Sequence, residues 1–574
     1  MSVIVYVNGN LYTMDVQQPY AQAMAIDTVS GRILAVGSND EVRRVRPAGT
    51  AQEIVDLKGR TVLPGFIDAH IHLLDTAYRA HYIDAGACQS EEEVAELVRA
   101  RAAQTPAGQW IQGGHWDKNL WPGQHFPTKA SLDAAAPQHP VALWSKDGHL
   151  LWVNSLALQR AGISAATPQP ENGAILHDSD GEPTGILQEE GATSLVYRVI
   201  DRSDINLSRV LIHQAIAELQ RRGITTIHDI EGDTSLQLFR ELRDAGQLGV
   251  RVQMFLPRHM LPILPEMDIH NFENDLLRVV GIKIFADGTL GSQTAAMLES
   301  FEGSPDNYGI LSTPEREMLN NVRAAASMGL IVSIHAIGDR AARVALNAIE
   351  YAQQLEQQAG RDIAGRDSAG RNTAGRNTAG RDTAGRNTAG RDTTGRDESR
   401  PYGPRYRLEH VQLIAPSDLE RMRRLGVIAS IQPYHAVADR DIAERYWGKR
   451  HRHAYAYRTI HESGIPIALG SDSPVETFDP LRILYAATLR RAPNIARPAW
   501  LPDQALPISD ALWGYTLGAA YAGGEEQLKG SLTVGKLGDA VVLREDILHT
   551  PQENMAENGV QATILGGNVV YGEL

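Results

Sequence analysis

The middle of the chain alternates short apolar runs with amphipathic helical stretches, and this rhythm constrains the fold more than any other feature. Apolar runs fall at Val62–Ile67, Val141–Trp144, Gly223–Ile227, Val250–Leu256, Val279–Phe285, Leu330–Ile334, Tyr406–Leu408, Val427–Ile431 and Ile465–Leu469. Helical stretches such as Ser208–Arg222, Pro314–Met328 and Arg340–Gln358 lie between them. Strands fed by helices in this way pair in parallel and are covered on the outside, which predicts an α/β chain built on a (β/α)8 barrel. Nine runs for eight places leave one over. The stretch from Val62 to Gly223 is far longer than one βα unit needs. Val141–Trp144 is therefore assigned to an inserted lobe over residues 75–205, after the first barrel strand.

Both chain ends have another texture. Residues 1–60 read as short strands and turns, among them Val3–Val7, Ala23–Ile26 and Ile33–Val36, and residues 525–574 read the same way at Ala540–Leu543, Ala562–Leu565 and Val569–Tyr571. The two ends could pair into one small β domain beside a barrel over 61–524. From Gly360 to Asp397 a Gly-Arg-(Asp/Asn) unit recurs every five residues, eight times. Almost nothing in it is apolar and larger than Ala, so burial cannot offset its ordering entropy, and a disordered low-complexity loop is expected over 360–397. It connects a helix to the next strand, on the barrel face opposite the loops that build active sites, so the repeat should be dispensable for chemistry.

Composition removes several function classes. The 574 residues carry 55 Lys+Arg against 69 Asp+Glu, a net charge of −14, and a surface that acidic repels phosphate backbones, so nucleic acid is not an expected partner. One cysteine, Cys88, excludes an internal disulfide framework and any Cys-rich metal site. No basic leader precedes an apolar segment, and no apolar run approaches the roughly 18 residues of a membrane span. The expected location is the cytoplasm, with no membrane partner.

The chemistry-bearing signal begins at Gly65-Phe66-Ile67-Asp68-Ala69-His70-Ile71-His72. Two histidines two apart at a strand end leave the same side of the pleat and converge on one ion. With 19 His, chance alone yields roughly 0.6 such pairs, and His451-Arg452-His453 is a second one in a charged stretch. What distinguishes His70 and His72 is the set of residues at later strand ends: Lys283, His335, His410 and Asp472. A lysine on an apolar strand is costly to bury unless its charge is paired or changed. Carbamylation by CO2 is one solution, turning Lys283 into an anionic oxygen ligand able to bridge two metals.

This constellation resembles the amidohydrolase superfamily, and within it amidohydrolase family 3, the group that includes N-substituted formamide deformylases. The resemblance covers nearly the whole chain outside the repeat. Beyond the histidine pair it rests on Lys146-Asp147-Gly148-His149 with Trp152-Val153-Asn154-Ser155, on Asp287-Gly288-Thr289-Leu290-Gly291-Ser292, on His335-Ala336-Ile337-Gly338-Asp339-Arg340-Ala341, on Leu469-Gly470-Ser471-Asp472-Ser473-Pro474-Val475, and on Gly535-Lys536-Leu537-Gly538-Asp539-Ala540. It implies a distorted TIM barrel flanked by a β-sandwich made from both chain ends. It also implies one metal on His70 and His72, a second on His335 and His410, carboxylated Lys283 between them, and Asp472 as metal ligand and proton shuttle. Gln293 stands where the family often carries Arg. The implied cofactor is Zn2+, one or two per subunit, with other divalent metals possible. The implied reaction is hydrolysis of a linear, non-peptide C–N bond in a small amide-type substrate.

The inserted lobe holds the one substrate clue. Trp110, Trp116, Trp121, Trp144 and Trp152 are five of the chain's eight Trp, and rings roofing the site would favour an aromatic or alkyl substituent. Trp116, Asp147, His149, His228 and Gln432 are the candidate substrate contacts, with His115 also near a βα end. Two further readings share the sequence. The same site could deaminate a ring or open a cyclic amide or lactone, although Lys283 argues against a deaminase. A catalytically degenerate binding or regulatory barrel is the other, and no ligand position is lost to favour it. A homo-oligomer is possible.

Overall fold

The computed structural model describes residues 2–45, 51–79, 81–200, 205–267, 274–371, 405–493 and 495–574. Eight strands pair in chain order as one parallel sheet: β1 Phe66–Ile71, β2 Ile224–Asp229, β3 Arg251–Pro257, β4 Leu277–Phe285, β5 Ile331–Ala336, β6 Tyr406–His410, β7 Ile428–Ile431 and β8 Ile467–Leu469. The sheet curls until β8 meets β1. Just past the end of β8, Asp472 N donates to His70 O at 2.7 Å and His72 N donates to Ser473 O at 2.9 Å. Alternation along each strand sorts the side chains. Ile282, Ile284, Val332, Ile334 and Leu408 join the large apolar core beneath the surrounding helices, while Lys283, His335, Arg407 and Glu409 belong to the opposite face, inside the barrel.

The apolar run Val62–Ile67 is two strands rather than one. Thr61–Pro64 pairs with Asn10–Tyr12 and with Ala540–Leu543, whereas Phe66–Ile71 enters the barrel. Gly65 makes the switch, and a Cβ there would lie 2.2 Å from Thr225 Oγ1, so only glycine lets the chain pass so close to β2. The ends form the expected sandwich. A four-stranded sheet ordered Arg32–Gly37, Ala23–Asp27, Ser2–Val7, Ala51–Asp56 faces a six-stranded one ordered Asn568–Gly572, Val560–Leu565, Ala540–Leu543, Thr61–Pro64, Asn10–Tyr12, Tyr20–Ala21. Tyr6, Leu11, Met24, Ile26, Val62, Val542 and Ile564 fill the space between.

After β1 the chain builds the inserted lobe around a six-stranded sheet, with Val141–Ser145 between Ile111–Trp116 and Leu150–Val153. Its core is a triad of rings, Trp116, Trp121 and Trp152, with centroids 5.9–6.4 Å apart. The helix after β5 runs from Asp339 to Arg371, twelve residues into the segment expected to be a disordered loop. Extending a nucleated helix adds one hydrogen bond per residue fixed, which is far easier than starting one. Residues 372–397 of the repeat lie outside the described residues. Among the described residues no helix is long and apolar enough to cross a membrane.

Candidate metal centre

The mouth of the barrel gathers His70 from β1, His72 from just past its end, Lys283 from β4, His335 from β5, His410 from β6 and Asp472 from the loop after β8 around one cavity of about 330 Å³. Hydrogen bonds decide which imidazole nitrogens are free. His70 Nδ1 donates to Glu409 Oε2 at 2.7 Å, and His72 Nδ1 donates to the Ile230 carbonyl at 2.8 Å, so each presents its Nε2 to the cavity as an acceptor. His335 is reversed: its Nε2 donates to Gly288 O at 3.1 Å, which leaves Nδ1 for a ligand. Buried His410 Nδ1 has no hydrogen-bond partner. Asp472 Oδ1 lies 3.2 Å from His70 Nε2 and 3.4 Å from His72 Nε2.

The loops hold this set with carboxylates, Asp68, Asp229 and Asp287 buried and Glu231 half-buried. The end of β2 clamps the segment after the histidine pair: Asp229 Oδ1 accepts from Leu73 N at 3.0 Å, and Glu231 accepts from Leu74 N and Asp75 N at 3.1 and 2.9 Å. Asp68 accepts from His70 N and Ser471 N at 3.1 and 2.9 Å, tying the first barrel strand to the last. A Cβ at Gly470 would sit 2.6 Å from His70 N, so that approach needs glycine. Asp287 accepts from Ala296 N, Ile337 N and Gly338 N, which joins the loops after β4 and β5 and explains why two sequence motifs meet there. His410 and Asp472 hold φ of 73° and 60°, a left-handed backbone uncommon outside glycine and concentrated at functional sites.

Burial and neighbouring charge set the protonation states. Burial would raise the Asp472 carboxyl, but His70, His435 and His72 outweigh it and hold Asp472 well below the usual carboxylate range. Burial pulls the Lys283 ammonium down to about 8 against the opposing carboxylates of Glu409 and Asp472, and its Nζ lies 3.3 Å from His70 Nε2. His335 and His410 are pushed well below the ordinary imidazole value, burial being the first cause. Unprotonated imidazoles and an ionised carboxylate are the forms that bind a cation. His70, His72 and Asp472 each offer one ligand atom within 4.8 Å of the others, and so do His410, His435 and Asp472. The free nitrogens, the partnerless His410 Nδ1 and this donor set fit a divalent metal of the zinc type.

The remaining sequence candidates take different places. His149 lines the cavity beside His335, ring centroids 5.3 Å apart, with Nδ1 donating to Glu189 Oε2 at 2.8 Å. Against the burial penalty, Glu189 raises it to about 9. Asp147 touches the cavity but accepts from Thr289, Ser292 and Ser145 hydroxyls, stapling the lobe to the loop after β4. Trp116 forms part of the wall, yet its ring belongs to the lobe core and its indole N–H donates to Leu143 O at 2.9 Å. His115 lines the lobe end of the cavity, 3.5 Å from Asp84. His228 and Gln432 do not face the cavity. His228 accepts from Arg407 lower in the barrel, and Gln432 Nε2 lies 3.4 Å from His70 Nδ1, behind the imidazole. Aromatic wall comes instead from Tyr78 stacked on Tyr82 at 5.3 Å and from Trp144 edge-on to Tyr197 at 5.9 Å.

Sequence reasoning missed His435, whose Nε2 donates to Asp472 Oδ2 at 3.0 Å from a short helix, Pro433–Ala438, with no apolar run to announce it. It also missed Glu409 and Glu189, the carboxylates behind His70 and His149. Residues 53–377 and 378–571 match the family model described as "Amidohydrolase family". The chain is 29% identical to Protein LONG AFTER FAR-RED 3 of Arabidopsis thaliana over 98% of this chain and 91% of that protein. It is 27% identical to an N-substituted formamide deformylase of Arthrobacter pascens, over 100% and 98%. A solved structure described as an uncharacterized metal-dependent hydrolase from Pyrococcus horikoshii superposes with a TM-score of 0.72 at 25% identity, covering 96% of this chain and 99% of that one.

Proposed function

Since the chain belongs to the amidohydrolase family, we propose that it is a metal-dependent hydrolase of non-peptide C–N bonds, acting on N-substituted formamides or related linear amides. The observation that carries this reading is the set of imidazole nitrogens left free around an ionised Asp472; the similarity to a formamide deformylase supports the bond class. His70, His72 and Asp472 would hold one ion, expected to be Zn2+, and His335 and His410 a second. Lys283, neutral often enough at its lowered value to add CO2, would become the anionic bridge. A divalent ion at such a site polarises a carbonyl and lowers the pKa of water from about 15.7 toward about 7.

The chain's own groups do the rest. Asp472 takes the proton of the attacking water at a carboxylate oxygen and returns it to the departing nitrogen, while His435, donating to Oδ2, keeps that carboxylate oriented. His149, fixed by Glu189, carries a proton at neutral pH and offers its Nε2–H to the substrate carbonyl oxygen. Trp144, Tyr197, Tyr78 and Tyr82 exclude water and take the nitrogen substituent. The test is elemental analysis of protein purified with bicarbonate and without chelator, followed by formate and amine release from a panel of formamides and amides. About two zinc per chain and turnover abolished by chelator are expected. Absence of metal with no activity on adding zinc overturns the proposal.

A further inference from the structure

Behind His70 a line of charged side chains descends the barrel. Glu409 accepts from His70 Nδ1 at 2.7 Å, from Ser333 Oγ at 2.6 Å and from Arg407 Nε and Nη2 at 2.8 and 3.1 Å. Arg407 is fully buried, and its guanidinium also donates to Ala69 O at 2.7 Å, Ser430 Oγ at 3.0 Å and His228 Nδ1 at 2.9 Å. TIM-barrel interiors are usually filled by branched apolar residues. A buried ion pair is poor evidence for stability, since an apolar pair of similar volume often does as well, so one directly behind a proposed ligand calls for another reason.

Geometry supplies one. A ligating imidazole donates its other N–H to a carboxylate, which fixes tautomer and ring orientation and raises ligand basicity. Glu409 does this for His70, and without Arg407 it would be a buried carboxylate with too few donors. The Arg407 fork fixes both carboxylate oxygens, and the Ala69 carbonyl ties the guanidinium to the strand that carries His70. We infer that Glu409 and Arg407 are positioning residues for the metal, with Arg407 acting through Glu409 to set the affinity of the His70 side of the site. The inference rests on the metal-hydrolase reading above and adds to it two residues and a direction of influence.

The test is Zn2+ affinity of the full chain by competition with a chromophoric chelator. Glu409→Gln keeps shape and removes charge, and a loss of roughly 10- to 100-fold in affinity is expected. Arg407→Met should lose a similar amount, and Arg407→Lys, which keeps charge without the fork, should fall between it and the native chain. Gln253→Met is the control for mere disturbance: Gln253 is buried deeper in the same interior, where its amide donates to Gly523 O, so it should lower Tm with zinc affinity unchanged. Folded Glu409→Gln and Arg407→Met that bind zinc within twofold of the native chain overturn the inference. Should neither variant fold, the native chain decides by 15N-histidine NMR: His70 must be the Nδ1–H tautomer, and an Nε2–H ring overturns it. A native chain that binds no zinc overturns this inference and the hydrolase reading together, whereas native binding with unchanged variants overturns this inference alone.

Discussion

Two interiors lie a few residues apart in this chain. The sandwich is filled by Leu11, Ile26, Val62, Val542 and Ile564, side chains that need only fit and stay dry. The upper barrel holds His70, Lys283, Arg407, Glu409 and Asp472, all buried and tied to one another by directed contacts. Apolar packing is non-directional and tolerates repair by neighbours, so losing part of it costs stability alone. A buried polar network is worth having only when every member is satisfied, and it can hold chemically competent groups in one arrangement. The first interior explains why the chain folds, and the second explains what the fold is for.

That contrast can be broken in four places. The largest effect is expected from Asp472→Asn, which should lower kcat by roughly 10²- to 10⁴-fold. Steady-state amide hydrolysis reads it, and retention of a tenth of native turnover would remove Asp472 as the proton carrier. Next comes Arg407→Met, which strands a buried carboxylate and should cost about 3–5 kcal/mol in a urea titration; a cost under about 1 kcal/mol would show the network is slack. Ile564→Ala in the sandwich should cost about 2–5 kcal/mol with kcat unchanged. Loss of activity there, with folding intact, would mean that the two interiors are coupled. The smallest effect belongs to the repeat: deleting residues 372–397 should leave kcat/KM within about twofold, since the chain enters β6 at Tyr406, the strand end opposite His410 and the cavity.

Legibility in the sequence follows the same division. Alternating apolar runs identify eight barrel strands and a lobe, because burial writes itself as hydrophobicity. Val62–Ile67 reads as one run but is two strands, because the chain leaves one sheet for another at Pro64-Gly65. Strand-end position also drew attention to His70, His72, Lys283, His335, His410 and Asp472, which the structure collects at one mouth. Glu409 and Arg407 stood in plain view in Arg-Leu-Glu-His. Two charges on one face of an otherwise apolar strand are the signal that marks them. His435 and Glu189 could not be found this way, because their roles depend on which loop folds over which. His228 and Gln432 carry ligand chemistry in their side chains and point elsewhere, a matter of direction that spacing does not encode.

One feature of the barrel reaches beyond catalysis. The cylinder is closed by amides of the candidate ligands themselves, Asp472 N to His70 O and His72 N to Ser473 O, against a last strand only three residues long. The joint where the ring is thinnest is therefore also where His70, His72 and Asp472 face one another, so an ion held there, as proposed above, would act as a rivet. Breathing of the whole wall should quieten when that rivet is in place. Deuterium uptake at the amides of His72 and Asp472 would then fall as the fraction of occupied sites rises, with no substrate present.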